Sequence, residues 1–394
     1  MTHTFFNQQD LTAAEFLRDY WQKKPLLLRQ AFPDFQPELD ADDIAGLACD
    51  EMAESRLITG RYPNGDWALR YGPFGEEDLA ALPPRDWTLL VQDVEKHYPP
   101  LQALIAAFGF LPRWRIDDLM VSVAAPGGSV GPHVDQYDVF LLQAAGRRRW
   151  EISTTFDSTL LPDCELNVLH AFDSEKTWEL DPGDMLYLPP GVAHHGVAVE
   201  PDDGPAEAGS AAPLCMTWSI GMRAPSAADL LQALGEWLAA APDEGGRYRD
   251  PDIAPAMRPG EIDGAALTRL RDLLRPAIED SGRFPAFAGA FLSRYRLAHE
   301  PAPPPRPTGQ AELLQELERG ARLHHNPWTR LAWLQTAKGA LLFASGSAYP
   351  CSIEAAVAIC DPERLQAATA EQLNVDLNLL CELINEGHLL IEPL

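Results

Sequence analysis

From Asp118 to Met222, short apolar runs alternate with turn residues at near-regular intervals: MVSVAA before PGG, DVFLLQ before AAGR, RWEI before polar residues, MLYLPP before GVAHHGVAV, then LCMTWSIGM. Short strands at such spacing predict an antiparallel sandwich or barrel. The stretch up to about Leu111 mixes helix and short strand. Leu11 to Tyr20 has helical apolar spacing, Leu26 to Leu28 after Pro25 reads as a buried strand, and Pro99-Pro100 opens a helix over Leu101 to Phe108. Glu200 to Pro213 is an acidic loop of small residues, read as a solvent-exposed insertion.

Beyond Ser226 the strand pattern stops. AADLLQALGEWLAA, ALTRLRDLLRPAI and FAGAFLSRYRLA each have the apolar spacing of a helix. Their apolar stripes exceed what so short a segment buries by itself, which predicts a symmetric two-fold contact. Four prolines between Pro301 and Pro305 mark a stiff extended linker. From Gln310 the pattern reads helix, hairpin, helix, helix, strand, an order that resembles a winged-helix module. The reading divides the chain into a β-rich domain over 1–225, a helical segment over 226–300, and a Pro-rich linker with a winged-helix-like domain over 301–394.

Composition narrows the function classes. The chain has 394 residues, 46 % hydrophobic and 23 % charged, which excludes a disordered or fibrous protein. Its net charge of −27 disfavours nucleic acid and anionic lipid and favours basic partners. The block from Gln310 to Leu394 carries five basic and eleven acidic residues, the wrong sign for a DNA-binding winged helix. Six cysteines form no C-x-x-C pair and read as small residues of a reduced compartment. The start MTHTFFNQQDLTAAEF lacks a basic end followed by an apolar core, and no apolar run approaches a membrane span, so a cytoplasmic protein is expected.

The sharpest chemistry lies in GPHVDQYDVFLLQ. His133 and Asp135 are spaced to share one face of a strand, and imidazole with carboxylate suits a borderline divalent metal. H-x-D alone recurs by chance, but His194-His195 opens a later strand that a barrel could bring alongside. Two histidines and one carboxylate leave three coordination positions open, the facial triad of non-haem Fe(II) oxygenases. Strand alternation lets only one of His194 and His195 contribute; the other is an exposed residue or one that supports the ligands from behind.

In GRRRWEI the same alternation puts Arg148 with Trp150 and Ile152 on the inward face, and Arg147, Arg149 and Glu151 outward. A buried arginine needs an anion: either a protein carboxylate or the carboxylate of a cosubstrate such as 2-oxoglutarate. Ser122 either bonds that cosubstrate or the backbone. Asp117, Asp118 and Tyr137 flank the expected mouth, as a basic-substrate site or as solvated surface. His324-His325 has no partner cluster and reads as structural.

These motifs, GPHVDQYDVFLLQAAGRRRWEI, GDMLYLPPGVAHHG and TWSIGMRAPS, resemble the JmjC-type cupin oxygenases, and within them the bacterial ribosomal oxygenases. The early stretch FLRDYWQKKPLLLRQAFP is similar to the opening segment of that family. The resemblance implies a double-stranded β-helix fold with a helical dimerisation segment and a C-terminal winged-helix-like domain. It implies Fe(II), O₂ and 2-oxoglutarate as cosubstrate, with His133, Asp135 and His194 as metal ligands. Arg148 and Ser122 match the 2-oxoglutarate residues. The implied reaction is hydroxylation of an arginine on the sixteenth large-subunit ribosomal protein, by a homodimer. The acidic loop from Glu200 to Pro213 looks longer than the family pattern needs. Rival readings are histidine hydroxylation of a ribosomal protein, lysine demethylation by the same triad, or a metal-sensing winged-helix regulator.

Overall fold

Inward and outward side chains alternate along twelve strands of the first unit, which spans Met1–Ala224. In the computed structural model, residues 6, 11–63, 67–200, 214–240, 246–253, 255, 258, 260–280, 282–294, 301–367 and 376–393 are described. The strands are β1 (Leu26–Leu28), β2 (Ser55–Thr59), β3 (Ala68–Tyr71), β4 (Trp87–Val91), β5 (Ile116–Ala124) and β6 (His133–Val134). There follow β7 (Val139–Ala145), β8 (Arg148–Ser153), β9 (Lys176–Leu180), β10 (Met185–Leu188), β11 (Ala193–Ala198) and β12 (Cys215–Met222). An eight-stranded sheet runs β1-β10-β7-β12-β5-β4-β2-β3, and a four-stranded sheet runs β6-β11-β8-β9. All their pairings are antiparallel. The spacing of apolar runs predicted this antiparallel arrangement, and the family resemblance implied its form, a double-stranded β-helix.

The outer face of the large sheet is apolar because helices cover it. Phe140, Tyr187 and Trp218 on the sheet join Phe16, Ile44 and Ile105 from the preceding helices, and Phe108 from the turn after the last of them, in one core. The rings of Phe16 and Tyr187 stack edge-on with centroids 4.9 Å apart. Each such side chain, fully buried, contributes roughly 1.5–3 kcal/mol. The helices start where capping residues allow. Thr12 and Asp40 accept from backbone N–H groups in capping boxes with Glu15 and Asp43.

Two buried carboxylates fasten the early segment to the sheet. Asp138 accepts from the Tyr187 hydroxyl at 2.6 Å, the Gln22 amide at 3.0 Å and Arg115 at 3.1 Å. Asp184 accepts from Arg29 at 2.6 Å and the Gln30 backbone N–H at 2.9 Å. Between the sheets lies a second, smaller core of Val139, Leu141, Trp150, Ile152, Leu186 and Leu188. The polar residues that interrupt this inner core are those of the site.

The second unit, Pro225–Leu394, begins with helices Ala227–Ala240, Gly264–Glu279 and Arg283–Ser293. The helix Arg283–Ser293 packs on the strands Leu331–Thr336 and Gly339–Ala344. Those strands and Ser347–Cys351 form a three-stranded wing, beside helices Gln310–Glu318, Ile353–Cys360, Pro362–Ala367 and Leu377–Asn385. The helix predicted to open this block runs from Gln310 to Glu318, and Arg322–His325 is a strand paired with Leu389–Glu392. His325 Nε2 lies 2.6 Å from the Ile359 carbonyl and His324 Nε2 lies 2.7 Å from Glu392, the structural roles expected of this pair. The acidic stretch beyond Glu200, 201–213, lies outside the described residues.

Candidate active site

β6 is only two residues long, yet it fixes the first ligand candidate. His133 stands opposite His194 in the β6–β11 register, and Asp135 follows directly after the strand. One donor atom from each of His133, Asp135 and His194 lies within 4.8 Å of the others. Asp135 Oδ2 is 3.6 Å from His194 Nε2 and 4.0 Å from His133 Nε2.

The two imidazoles are oriented by the same local device. His133 Nδ1 is 2.9 Å from the Gly131 carbonyl, and His194 Nδ1 is 3.0 Å from the Val192 carbonyl. A carbonyl only accepts, so both Nδ1 atoms carry the hydrogen, and both Nε2 lone pairs point toward Asp135. Gly131 holds its carbonyl at φ +79°, and a Cβ there would come within 2.7 Å of Val168. Burial, reinforced by the neighbouring His133, pushes the His194 imidazole down to about 4, so it is neutral and available as a ligand. Two imidazole nitrogens and one carboxylate on one side fit Fe(II) with three positions left open.

Arg148 marks the other end of the cavity. It faces inward from β8 with Trp150 and Ile152, opposite Ala198 of β11. The residue is 3 % exposed, yet its Nε and Nη2 make no hydrogen bond, and among the described residues no carboxylate pairs with it. A buried guanidinium left so costs several kcal/mol unless an anion meets it. Ala124, Ala198 and Cys215 close this end with small side chains. Along β11, His194 and Ala198 are four residues apart, about 13 Å. Trp150 lines the wall between them, its ring centroid 5.9 Å from that of His194. Gly196 makes room for it, since a Cβ there would come within 2.6 Å of the indole.

Ser122 shares the inward face, but its hydroxyl donates to the Thr217 carbonyl at 3.3 Å. Thr217 in turn donates to Gln143 Oε1 at 3.0 Å, while Gln143 Nε2 donates to the carbonyls of Ala145 at 2.8 Å and Gly146 at 3.2 Å. Gln143 therefore pins the turn that delivers Arg148. The sequence carried one signal for it: a single amide closing an otherwise apolar strand.

At the metal end, Asp118 lies opposite Gly221 on the face that bears Ser122 and is 6 % exposed. Asp117 falls at the bulge where the β5–β12 register shifts and is half-buried. Tyr137 is 41 % exposed, on the loop between Asp135 and β7. His195 points to the opposite sheet face from His194. It is buried rather than exposed, with Nδ1 3.3 Å from Glu151 and its ring against Tyr62 and Phe172.

A JmjC domain matches residues 103–230 and a ROXA-like winged helix matches residues 277–390. The chain is 35 % identical over 314 residues to the ribosomal protein uL16 3-hydroxylase of Escherichia coli (strain K12), covering 79 % of this chain and 80 % of that protein. It belongs to the JmjC ribosomal oxygenases. The X-ray structure of E. coli YcfD superposes with a TM-score of 0.84 at 32 % identity, over 97 % of this chain and 99 % of that one. YcfD in complex with cobalt and 2-oxoglutarate gives a TM-score of 0.80 at 32 % identity, over 97 % and 99 % of the two chains. As a JmjC ribosomal oxygenase this protein is a 2-oxoglutarate-dependent enzyme that uses Fe(II) and O₂. Its His-Asp-His cluster and its unsatisfied buried arginine suit those two groups.

Proposed function

We propose that this enzyme hydroxylates an arginine side chain of large-subunit ribosomal protein uL16. His133, Asp135 and His194 hold Fe(II); Arg148 takes the distal carboxylate of 2-oxoglutarate through its two unsatisfied N–H groups. Ser122, already bonded to Thr217, lines the cosubstrate cavity rather than anchoring the diacid alone. Asp118 receives the substrate guanidinium at the mouth, with Asp117 and Tyr137 on the rim. With Fe(II) bound, 2-oxoglutarate and O₂ supply the oxidant that places one oxygen atom into a C–H bond, leaving succinate and CO₂. The chain's own groups orient both partners, keep His194 neutral by burial and exclude water from the inner core.

One observation carries the reading: a His-Asp-His cluster and a buried, unsatisfied guanidinium stand at opposite ends of one barrel interior. The net charge of −27 supports a basic substrate, and the uL16 hydroxylase relationship supports its identity. The dimer is part of the proposal. Helix Gly264–Glu279 has no buried residue and displays Leu267, Leu270, Leu274 and Ile278 along one stripe, 43–65 % exposed. A second copy of the chain is the occupant that two-fold symmetry offers. A cytoplasmic setting follows from a ribosomal substrate; among the described residues no helix is long and apolar enough to cross a membrane.

Purified protein with Fe(II), 2-oxoglutarate and O₂ is expected to add one oxygen to an arginine-containing uL16 peptide, read by mass spectrometry. His133→Ala is expected to abolish the product. Oxygen found on a histidine of another ribosomal peptide, with the arginine peptide untouched, would replace this reading by the histidyl-hydroxylase one.

A further inference from the structure

The eight-stranded sheet is wider than the barrel it helps to close. β4, β2 and β3 extend it past β5, and the residues in register across this extension form rows on the cavity-facing side. One row runs Thr217, Ser122, Leu90, Arg56, Tyr71; the next, toward the closed end, runs Ala124, Thr88, Ile58, Leu69. The opposite face of the same strands, Leu57, Leu89 and Val91, belongs to the outer core, which fixes the direction of Arg56. Exposure rises toward the edge strand: Leu90 is 5 % exposed, Arg56 is half-buried and Tyr71 is 67 % exposed.

Arg56 is anomalous on this shelf. Its Nη2 lies 3.9 Å from the sulfur of Met120, itself on the cavity face, and its Nε is buried with no hydrogen bond. No carboxylate of the described residues pairs with it. A guanidinium held with an empty donor forfeits the hydrogen bonds it would make in water. Nor does its charge draw in the substrate, because a cation beside the mouth repels a basic protein segment. What remains is recognition at short range.

We infer that Arg56, with Tyr71 beside it, forms a substrate subsite that binds an oxygen acceptor of the peptide flanking the hydroxylated residue. The acceptor is a main-chain carbonyl or an acidic side chain, and the peptide lies across β4, β2 and β3 on its way to the metal. The inference rests on the proposal that a ribosomal peptide enters at this mouth. It adds a residue that reads the flank rather than the target side chain.

The test is steady-state kinetics of the full chain with the uL16 peptide. Arg56→Met keeps the volume and removes the donors. It is expected to raise the KM for peptide roughly tenfold, with kcat and the KM for 2-oxoglutarate unchanged. Arg56→Lys should recover part of the loss, because it restores charge without the fork. With the peptide's acidic residues changed to amides, closing of the gap between wild type and Arg56→Met assigns the acceptor to a side-chain carboxylate. Persistence of the gap assigns it to the main chain. A peptide KM for Arg56→Met within twofold of wild type overturns the inference while leaving the proposed function standing. Equal loss of kcat and of thermal stability in both variants shows a structural role and also overturns it. A wild-type enzyme inactive on every ribosomal peptide removes both readings together.

Discussion

Arg148 and Gly131 show how much of the site depends on atoms that never meet the substrate's reacting carbon. Arg148 offers a planar fork to the cavity, and lysine would reach the same place as a point charge. Arg148→Lys is therefore expected to raise the KM for 2-oxoglutarate by at least tenfold, with a smaller change in kcat, in a succinate-release assay. A KM unchanged from wild type would reassign Arg148 to structure. Gly131 acts one bond further out, since its carbonyl fixes the tautomer of His133. Gly131→Ala combines a positive φ with a clash against Val168. It should lower Fe(II) affinity by roughly tenfold, measured by metal titration, while the circular dichroism spectrum stays native. The clustered residues were legible in the sequence as H-x-D followed by a later histidine pair, with the family resemblance rather than the spacing choosing His194 over His195. Gly131 was not, because its role depends on which carbonyl the backbone turn presents, and Gln143 showed only as one amide in an apolar strand.

Among the elements, the central strands could be read directly, since each presents one face to the inner cavity and the other to the helix-covered core. β4 could not. WTLLV is apolar at nearly every position and buried on both faces, so its sequence has no period to detect. β2, β3 and β9 are short and interrupted by polar residues, which is why the shelf bearing Arg56 was invisible before the fold was known. The amphipathic helix Gly264–Glu279 was legible, and its exposed stripe makes a specific claim. Leu270→Asp combined with Leu274→Asp should convert a dimer into a monomer in sedimentation at micromolar concentration, with little loss of unfolding temperature in the first unit. Wild-type protein that already sediments as a monomer would refute the dimer.

For the molecule as a whole, charge sets the encounter. A net charge of −27 attracts a basic peptide and repels the 2-oxoglutarate dianion. Raising the ionic strength from about 20 mM to about 200 mM shortens the screening length to below about 10 Å. kcat/KM for peptide should fall severalfold over that range, while kcat/KM for 2-oxoglutarate should rise or stay level. A parallel fall in both would show that the field of the protein does not govern substrate capture.

The Arg148 end of the cavity is lined by the buried Ala124, Ala198 and Cys215, and Tyr137 stands exposed beside the histidine end. With entry from the histidine end alone, the cavity is a blind alley, and traffic in a blind alley is last in, first out. The diacid must pass the metal before the peptide arrives, and succinate cannot leave until the hydroxylated peptide has gone. Excess peptide that binds the enzyme ahead of 2-oxoglutarate would then block the lane, so turnover at low 2-oxoglutarate should decline as peptide rises.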